Sequence, residues 1–320
     1  MVPPQDVLKY LGAKDGKKFV NIFSDAPGFV FGLIKKYKIE CEVTNTGTIH
    51  AAHNKSGFAD LQYRKDEWDR LGAPVDLLSA NETAELTGTR SFYGGLVDNR
   101  AGTINPMGYC RGLARAALKN GAKLTTNCRV HDLVKENDGW RLITDNGDLK
   151  AKYVILGTNA YTDELWPGLR QSFTRINYFN CATLPLGERI KYILPKRQGL
   201  WDTGKIMFSL RRDKYDRLII GSMGRIHGNR NSGITKRWAS AQLKRLFPDL
   251  GQVEFENIWH GEIAMTPTHL PAVHQLDRNL FTSIGYNGRG ITTGTIFGKA
   301  LADLISSNSP ECLPVPVTQM

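Results

Sequence analysis

The 320-residue chain is long enough to bury a large core, and its length predicts two domains of ordinary size. With 41% hydrophobic, 23% charged and 9% aromatic residues, its composition is that of a soluble globular protein. No apolar run approaches the roughly 18 residues of a membrane span. The first residues lack the pattern of a secretory signal. We therefore expect a cytoplasmic protein with no membrane association.

The net charge of +11, from 42 basic and 31 acidic residues, could indicate nucleic-acid binding. The basic residues are scattered in ones and twos, however, and are not interleaved with aromatic residues. A solvated basic surface that attracts an anionic cofactor or substrate is the better interpretation, and no nucleic-acid partner is expected. The five cysteines lie far apart without a C-x-x-C pair, which predicts reduced thiols and no metal site.

In the first ninety residues, hydrophobic spacing predicts mainly helices. They are expected at 7–11, at 19–37 with an interruption at Pro27, at 57–71, and at 81–86 with Asn81 as the N-cap. Residues 42–51 alternate enough to form a strand or a tight hairpin.

A helix is predicted from Pro106, because Asn105 suits the cap and proline suits the first helical position. It should stop at Asn120 and Gly121, with its apolar side formed by Cys110, Leu113, Ala114, Ala117 and Leu118. Strands should follow at 123–130 and 140–144, with a hairpin turn at 145–148. The all-apolar run 153–157 is typical of a strand buried on both faces.

From residue 175 the pattern changes to strands at 177–184, 206–212 and 217–223, a helix at 236–247 and a strand at 253–263. An antiparallel insertion thus separates two outer strand–helix–strand segments. The outer segments are expected to share one layered α/β domain, with the insertion forming a second, mostly antiparallel sheet. The last residues, around Pro314 and Pro316, are expected to be a disordered tail.

The most informative stretch is 280–295, where a short apolar strand runs into a glycine-rich turn and then a helix. Gly290, Gly294 and Gly298 share one helix face, which would let a flat partner approach. The first N–H groups of a helix carry partial positive charge and suit an anionic or electron-rich ligand. A bare turn is the alternative, but it would need neither Asn287 nor Arg289.

The segment 285–290 with its small-residue helix resembles the flavin-contacting segment of the D-amino-acid-oxidase-like FAD-dependent oxidoreductases. Three other segments agree in order: 93–113 is similar to the central helix of that family, 154–162 to a later strand of its dinucleotide domain, and 259–267 to the segment before its last strand. The run 165–169 resembles the gamma-glutamylputrescine oxidoreductase type in particular.

The family opens with a strand–G-x-G-x-x-G–helix unit that holds the FAD pyrophosphate, and these 320 residues contain no such motif. The resemblance therefore implies a family member that lacks this unit, which puts FAD binding in question. It implies a partial Rossmann-like FAD domain plus an antiparallel substrate domain, α/β in class and α+β overall. The expected boundaries are 1–40, 90–170 and 253–307 for the FAD domain, 41–89 and 171–252 for the substrate domain, and 308–320 for the tail.

The resemblance also implies a set of residues that contact non-covalent FAD. They are Val130, Thr158, Asn159, Gly285, Tyr286, Asn287, Gly288, Arg289, Gly290, Ile291 and Thr292. For Thr158 and Asn159, ordinary turn chemistry is the alternative, and for Val130 a place in the core. No cysteine aligns with a flavin attachment site, and no metal is expected.

On the substrate side, Trp259 and His260 precede the last strand. His260 is a candidate base, although a lone histidine is more often structural. Arg211 could bind a substrate carboxylate, or it could be solvated. The implied activity is oxidation of a small-molecule amine or amino acid to an imine by hydride transfer to flavin. A catalytically inactive remnant and a sarcosine- or glycine-oxidase-like enzyme are the alternatives, and the oligomeric state is not predicted.

Overall fold

The computed structural model describes residues 3–307 and 309–319. The helices in these residues are α1 (Pro4–Ser24), α2 (Ala26–Tyr37), α3 (Lys55–Asp69), α4 (Ala80–Thr87), α5 (Pro106–Lys119), α6 (Ile234–Leu246) and α7 (Gly290–Ser307). Within the same residues, no helix has the length and apolar character that crossing a membrane would require.

The strands in chain order are β1 (Thr48–Ala51), β2 (Val75–Leu78), β3 (Gly95–Asp98), β4 (Val130–Glu136), β5 (Gly139–Thr144), β6 (Gly147–Ala151), β7 (Val154–Leu156), β8 (Thr174–Thr183), β9 (Gly199–Asp202), β10 (Phe208–Arg212), β11 (Leu218–Met223), β12 (Phe255–Met265), β13 (Ala272–Asp277), β14 (Leu280–Ile284) and β15 (Val317–Gln319). The mixed α/β class expected from the sequence is confirmed.

The chain divides into two compact units. Unit 1 contains 1–33, 111–176 and 262–320, and unit 2 contains 34–110 and 177–261. The division differs from the expected domains mainly at 90–110, which groups with the antiparallel unit. Both divisions make each domain from separate stretches of the chain.

In unit 1 the central sheet has the strand order β15-β13-β14-β7, and β4, β5 and β6 form a separate antiparallel sheet. All five residues of β14 are buried. Phe281 packs in the cluster that contains Phe297 of α7, whereas Leu280 and Ile284 pack in the cluster that contains Trp140 of β5. Strand β14 is therefore covered on both faces, and its two polar residues, Thr282 and Ser283, are buried along with the apolar ones.

Unit 2 is built on an eight-stranded sheet of order β12-β8-β11-β10-β9-β1-β3-β2. Residues of one face form the core: Ile49, Cys181, Leu200, Phe208, Leu210 and Ile220 pack together with Leu243 of α6. The positions between them in sequence, such as Ser209 and Arg211, lie on the opposite face and are half-buried. This alternation is the period of two expected of a strand with one core face.

Five local expectations were wrong. The cap of α4 is Ser79, not Asn81: the Ser79 side chain and that of Glu82 form a capping box. The buried positions of α5 include Tyr109 and Ala116, whereas Cys110 and Leu118 on its predicted apolar side are exposed.

Strand β4 begins only at Val130, and β7 is not buried on both faces, because Ile155 is 42% exposed. The C-terminal tail is ordered, since β15 pairs in parallel with β13 and both Leu313 and Val315 are buried. All five cysteines are free thiols.

Candidate functional site

The two glycine-containing segments singled out in the sequence meet in unit 1. Strands β7 and β14 are parallel neighbours, with Leu156 opposite Thr282, so both strands end at the same edge of the sheet. The N–H of Gly285 donates to Oδ1 of Asn159 at 3.0 Å. Loops at the carboxyl ends of parallel strands are where open α/β sheets bind ligands. This hydrogen bond joins two segments to which the resemblance assigns FAD contacts.

The turn after β14 has an unusual backbone. Gly285, Asn287 and Gly288 have φ values of 76°, 50° and 82°, in the left-handed region where glycine is favoured and asparagine is tolerated. A Cβ at Gly285 would lie 2.2 Å from Cγ2 of Thr266, so no larger residue fits there without displacing that side chain. The glycine at this position is required by both its conformation and its surroundings.

The Asn287 side chain fastens the turn to the end of β12. Its Oδ1 accepts from the N–H of Thr266 at 2.9 Å, and its Nδ2 donates to Oγ1 of Thr266 at 3.2 Å and to the carbonyl of Gly285. The backbone N–H of Asn287 donates to the carbonyl of Ala264 at 3.1 Å. Because these bonds occupy its amide, Asn287 acts in the turn as a structural clamp.

Helix α7 starts directly after this turn and offers unpaired N–H groups. The first backbone bond at this end is from Thr293 to Arg289 at 3.1 Å, and no acceptor within 3–307 and 309–319 pairs with the N–H groups of Gly290, Ile291 or Thr292. Gly290 is exposed, and a Cβ added there would meet no atom within 4 Å. This helix start is thus electropositive and sterically open.

One of the predicted contact residues, Tyr286, packs against helix α7. The Tyr286 ring stacks on Phe297 with ring centroids 6.3 Å apart, and its hydroxyl lies 2.6 Å from Oγ of Ser283. Burial raises the pKa of Tyr286, which the Ser283 hydrogen bond partly opposes. Gly294 gives this ring room, because a Cβ there would lie 3.4 Å from it. Tyr286 therefore fills the core beneath the turn.

Thr158 and Val130 lie in neighbouring segments of unit 1. Thr158 is exposed, and its hydroxyl lies 2.7 Å from that of Thr162. Val130 begins β4 and is half-buried, and the adjacent Arg129 forms an ion pair with Asp163 at 3.1 Å. That ion pair connects the start of β4 to the loop that follows β7.

The predicted substrate residues lie in unit 2. Trp259 and His260 are consecutive exposed residues of β12, an edge strand of the eight-stranded sheet, so their side chains point to opposite faces. Arg211 lies on β10 of the same sheet. Its neighbour Arg212 is buried and pairs with Asp216 at 2.7 Å, which assigns the two arginines different environments.

The sequence analysis missed Thr266 and Ser79, and for the same reason. Both act through short side-chain-to-backbone bonds, which single-sequence patterns do not separate from ordinary loop chemistry. The resemblance includes Thr266 and Pro267 but gives Thr266 no role. In the structure, the methyl group of Thr266 fills the space that a side chain at position 285 would need. A glycine with a positive φ opposite a threonine can be identified only once both chain segments are placed.

The geometry at the end of β14 fits a planar, electron-rich ligand. Gly288, Arg289 and Gly290 are exposed, the N–H groups of the helix start are unpaired, and the space beside Gly290 is open. A family model described as FAD dependent oxidoreductase (DAO) matches residues 7–304. The chain belongs to this family.

Among curated proteins, this family member is similar to gamma-glutamylputrescine oxidoreductase of Escherichia coli (strain K12), with 28% identity over 86% of this chain and 65% of the relative. It is also similar to D-amino acid dehydrogenase of Rhizorhabdus wittichii, with 24% identity over 85% of this chain and 67% of that protein. The chain therefore spans about two thirds of the length of these relatives.

Solved structures show the same fold. Glycine oxidase from Geobacillus kaustophilus aligns with a TM-score of 0.72 and 21% identity, over 90% of this chain and 78% of that chain. L-proline dehydrogenase from P. horikoshii aligns with a TM-score of 0.76 and 18% identity, over 91% and 79%. At these sequence identities the structural similarity shows a shared fold and nothing more.

Proposed function

We propose that the protein is an FAD-dependent oxidoreductase that oxidises the C–N bond of an amine or amino acid to an imine. The observation that carries this proposal is the open start of α7, with the unpaired N–H groups of Gly290, Ile291 and Thr292 beside the glycine turn. Relatives are named gamma-glutamylputrescine oxidoreductase, 4-methylaminobutanoate oxidase and D-amino acid dehydrogenase, and each name specifies an amine or amino acid.

We place the pyrimidine end of the flavin ring against the start of α7. Flavin held there would supply the acceptor for the hydride that leaves the amine. The partial positive charge of the helix start, with its N–H groups already oriented, stabilises the negative charge that gathers there. Gly285, Asn287 and Gly288 shape the turn, and Arg289 flanks it. The flavin is held non-covalently, because 154–163 and 280–295 contain no cysteine.

The remaining assignments follow the resemblance. Thr158 and Asn159 approach the cofactor from the end of β7, and Val130 contributes backbone groups to the adenine. Trp259 bounds the substrate, and His260 is the candidate base. A base is not essential, because a neutral amine that is held in the correct orientation can lose hydride directly.

The test is the visible spectrum of the purified protein. Bound flavin should give an absorption band near ~450 nm that bleaches when an amine substrate is added without oxygen. Added FAD should raise the temperature of unfolding, because a ligand that binds only the folded state stabilises it. A colourless protein whose unfolding temperature does not respond to FAD would contradict the proposal.

A further inference from the structure

One segment of unit 2 carries positive charge and no negative charge. Residues 218–248 contain six lysines and arginines but no aspartate or glutamate, although the whole chain has 31 acidic residues. The segment covers β11, the loop that follows it, and helix α6. The six cations are Arg225, Arg230, Lys236, Arg237, Lys244 and Arg245, and all except the half-buried Lys236 are exposed.

Carboxylates do not neutralise this charge. In the described part of the chain, the ion pairs that involve 177–261 use other residues. Arg245 donates to Oε1 of Gln242 at 3.0 Å, which is a neutral acceptor. Arg230 donates to the carbonyl of Glu256 at 3.2 Å, but the carboxylate of Glu256 is paired with Arg217 at 2.6 Å. The segment therefore keeps its positive charge available to an external anion.

Helix α6 directs part of this charge to one face. Ala239 and Leu243, four positions apart, are buried in the core of unit 2. Ile234, Arg237 and Lys244 are exposed and lie together on the opposite side at helical spacing. The helix is thus amphipathic, and its solvent face is cationic with an isoleucine at its first residue.

Two exposed isoleucines lie at the same end of the eight-stranded sheet. Ile206, in the loop before β10, is 73% exposed, and Ile234 is 61% exposed. The start of β10 pairs with the end of β11. The N–H of His227, four residues beyond β11, donates to Oγ1 of Thr235 at 2.9 Å, which fixes the start of α6 to the basic loop. Both isoleucines therefore belong to the end of the sheet where β11 enters that loop.

We propose that the solvent face of α6 and the loop before it bind the surface of an anionic lipid bilayer. Exposed lysines and arginines are attracted to acidic headgroups. An isoleucine that is held among them gains an apolar environment when it reaches the boundary of the acyl chains. The sequence-based expectation of no membrane association rested on the absence of an apolar span, which a surface contact does not need.

A nucleic acid is the other polyanion that such a surface could attract. Surfaces that bind nucleic acids combine their cations with aromatic side chains on which the bases stack. Trp238 of α6 is half-buried, and its ring packs edge-on against Phe179 with centroids 5.2 Å apart, so it is not available for stacking. The large side chains exposed beside the cations are isoleucines, which favours lipid.

The test measures co-sedimentation of the purified protein with lipid vesicles. The wild type should bind vesicles of phosphatidylcholine that contain about 30% phosphatidylglycerol, and it should not bind pure phosphatidylcholine. Added sodium chloride should weaken the binding, because salt screens the attraction. Arg237→Gln combined with Lys244→Gln should weaken it roughly 30-fold, about fivefold for each cation. Ile234→Ser should weaken it roughly 10-fold through lost apolar contact.

Matched variants separate this surface from net charge and from folding. Lys35→Gln combined with Lys55→Gln removes the same charge from exposed lysines elsewhere in unit 2, and binding should stay within about twofold of the wild type. Arg237→Lys combined with Lys244→Arg keeps both charges and should bind as the wild type does. All these variants should unfold at the temperature of the wild type, because the changed side chains are exposed.

The inference is overturned if the wild type does not bind the anionic vesicles, if the α6 double glutamine variant binds them equally well, or if the Lys35 and Lys55 control loses binding to the same extent. Binding to a duplex DNA oligonucleotide that depends on Arg237 and Lys244, without binding to vesicles, would assign the surface to nucleic acid and also overturn it. None of these measurements involves flavin or turnover, so their outcome is independent of the proposed function.

Discussion

Replacing Gly290 with leucine should separate the stability of α7 from its proposed contact with flavin. Gly290 has no positive φ, and an added Cβ would meet nothing within 4 Å, so the folded chain has room for a side chain. Leucine forms helix better than glycine. The free energy of unfolding should therefore rise by about 0.5 kcal/mol, somewhat less than the full difference in helix propensity because Gly290 is the first helical residue.

The same side chain should obstruct the ligand. Forcing a side chain into occupied space costs about 1–3 kcal/mol, which corresponds to FAD binding that is roughly 5- to 150-fold weaker. The assay titrates the apoprotein with FAD and follows quenching of flavin fluorescence, while urea unfolding reports stability. The combination of higher stability and lower FAD affinity is the expected signature.

Gly298 provides the matched control. It lies about two turns beyond Gly290 on the same helix, away from the helix start assigned to flavin, is exposed, and has nothing within 4 Å of an added Cβ. Gly298→Leu should also stabilise the helix, but it should leave FAD affinity unchanged. If Gly290→Leu binds FAD as tightly as the wild type, or if both variants lose it equally, flavin does not lie against the start of α7.

Three further changes test the local structure. Asn159→Ala removes the acceptor for the N–H of Gly285 and should lower the free energy of urea unfolding by about 1–2 kcal/mol. Asn159→Asp keeps an acceptor and should lower it less. Equal losses in the two variants would contradict the role of this hydrogen bond. Ser79→Ala should cost about 1 kcal/mol and Asn81→Ala less than about 0.5 kcal/mol in the same assay, and the reverse order would mean that Asn81 is the cap after all. Burial, with a smaller contribution from a nearby positive charge, lowers the pKa of His50 from 6.5 to about 3, so the unfolded chain takes up a proton below pH 6.5 that the folded chain does not. The neutral imidazole contributes to the free energy of unfolding above pH 6.5, and acidification removes this contribution by up to roughly 1.4 kcal/mol per pH unit. The free energy of unfolding of His50→Asn should therefore depend less on pH between 6.5 and 4. An unchanged pH dependence would contradict the buried neutral imidazole.

The sequence determined the features that depend on local chemistry. The Pro106 start and the Gly121 stop of α5, the buried strand β14 and the glycine turn before α7 follow from cap residues, apolar runs and positive-φ positions, which short stretches of chain encode. It also carried enough of the family pattern for the fold class and the FAD-dependent oxidoreductase family to be predicted correctly.

Tertiary structure decided which faces are covered and which side chains are already used. The amide of Asn287 is occupied by Thr266, and the Tyr286 ring stacks on Phe297. Arg211 and Arg212 are adjacent in sequence, yet within residues 3–307 and 309–319 only Arg212 forms an ion pair with a carboxylate. The physical reason is that Asn287 takes its partner from a separate segment of the chain, and that the alternation of side chains along β10 places Arg212 on the buried face and Arg211 on the opposite one.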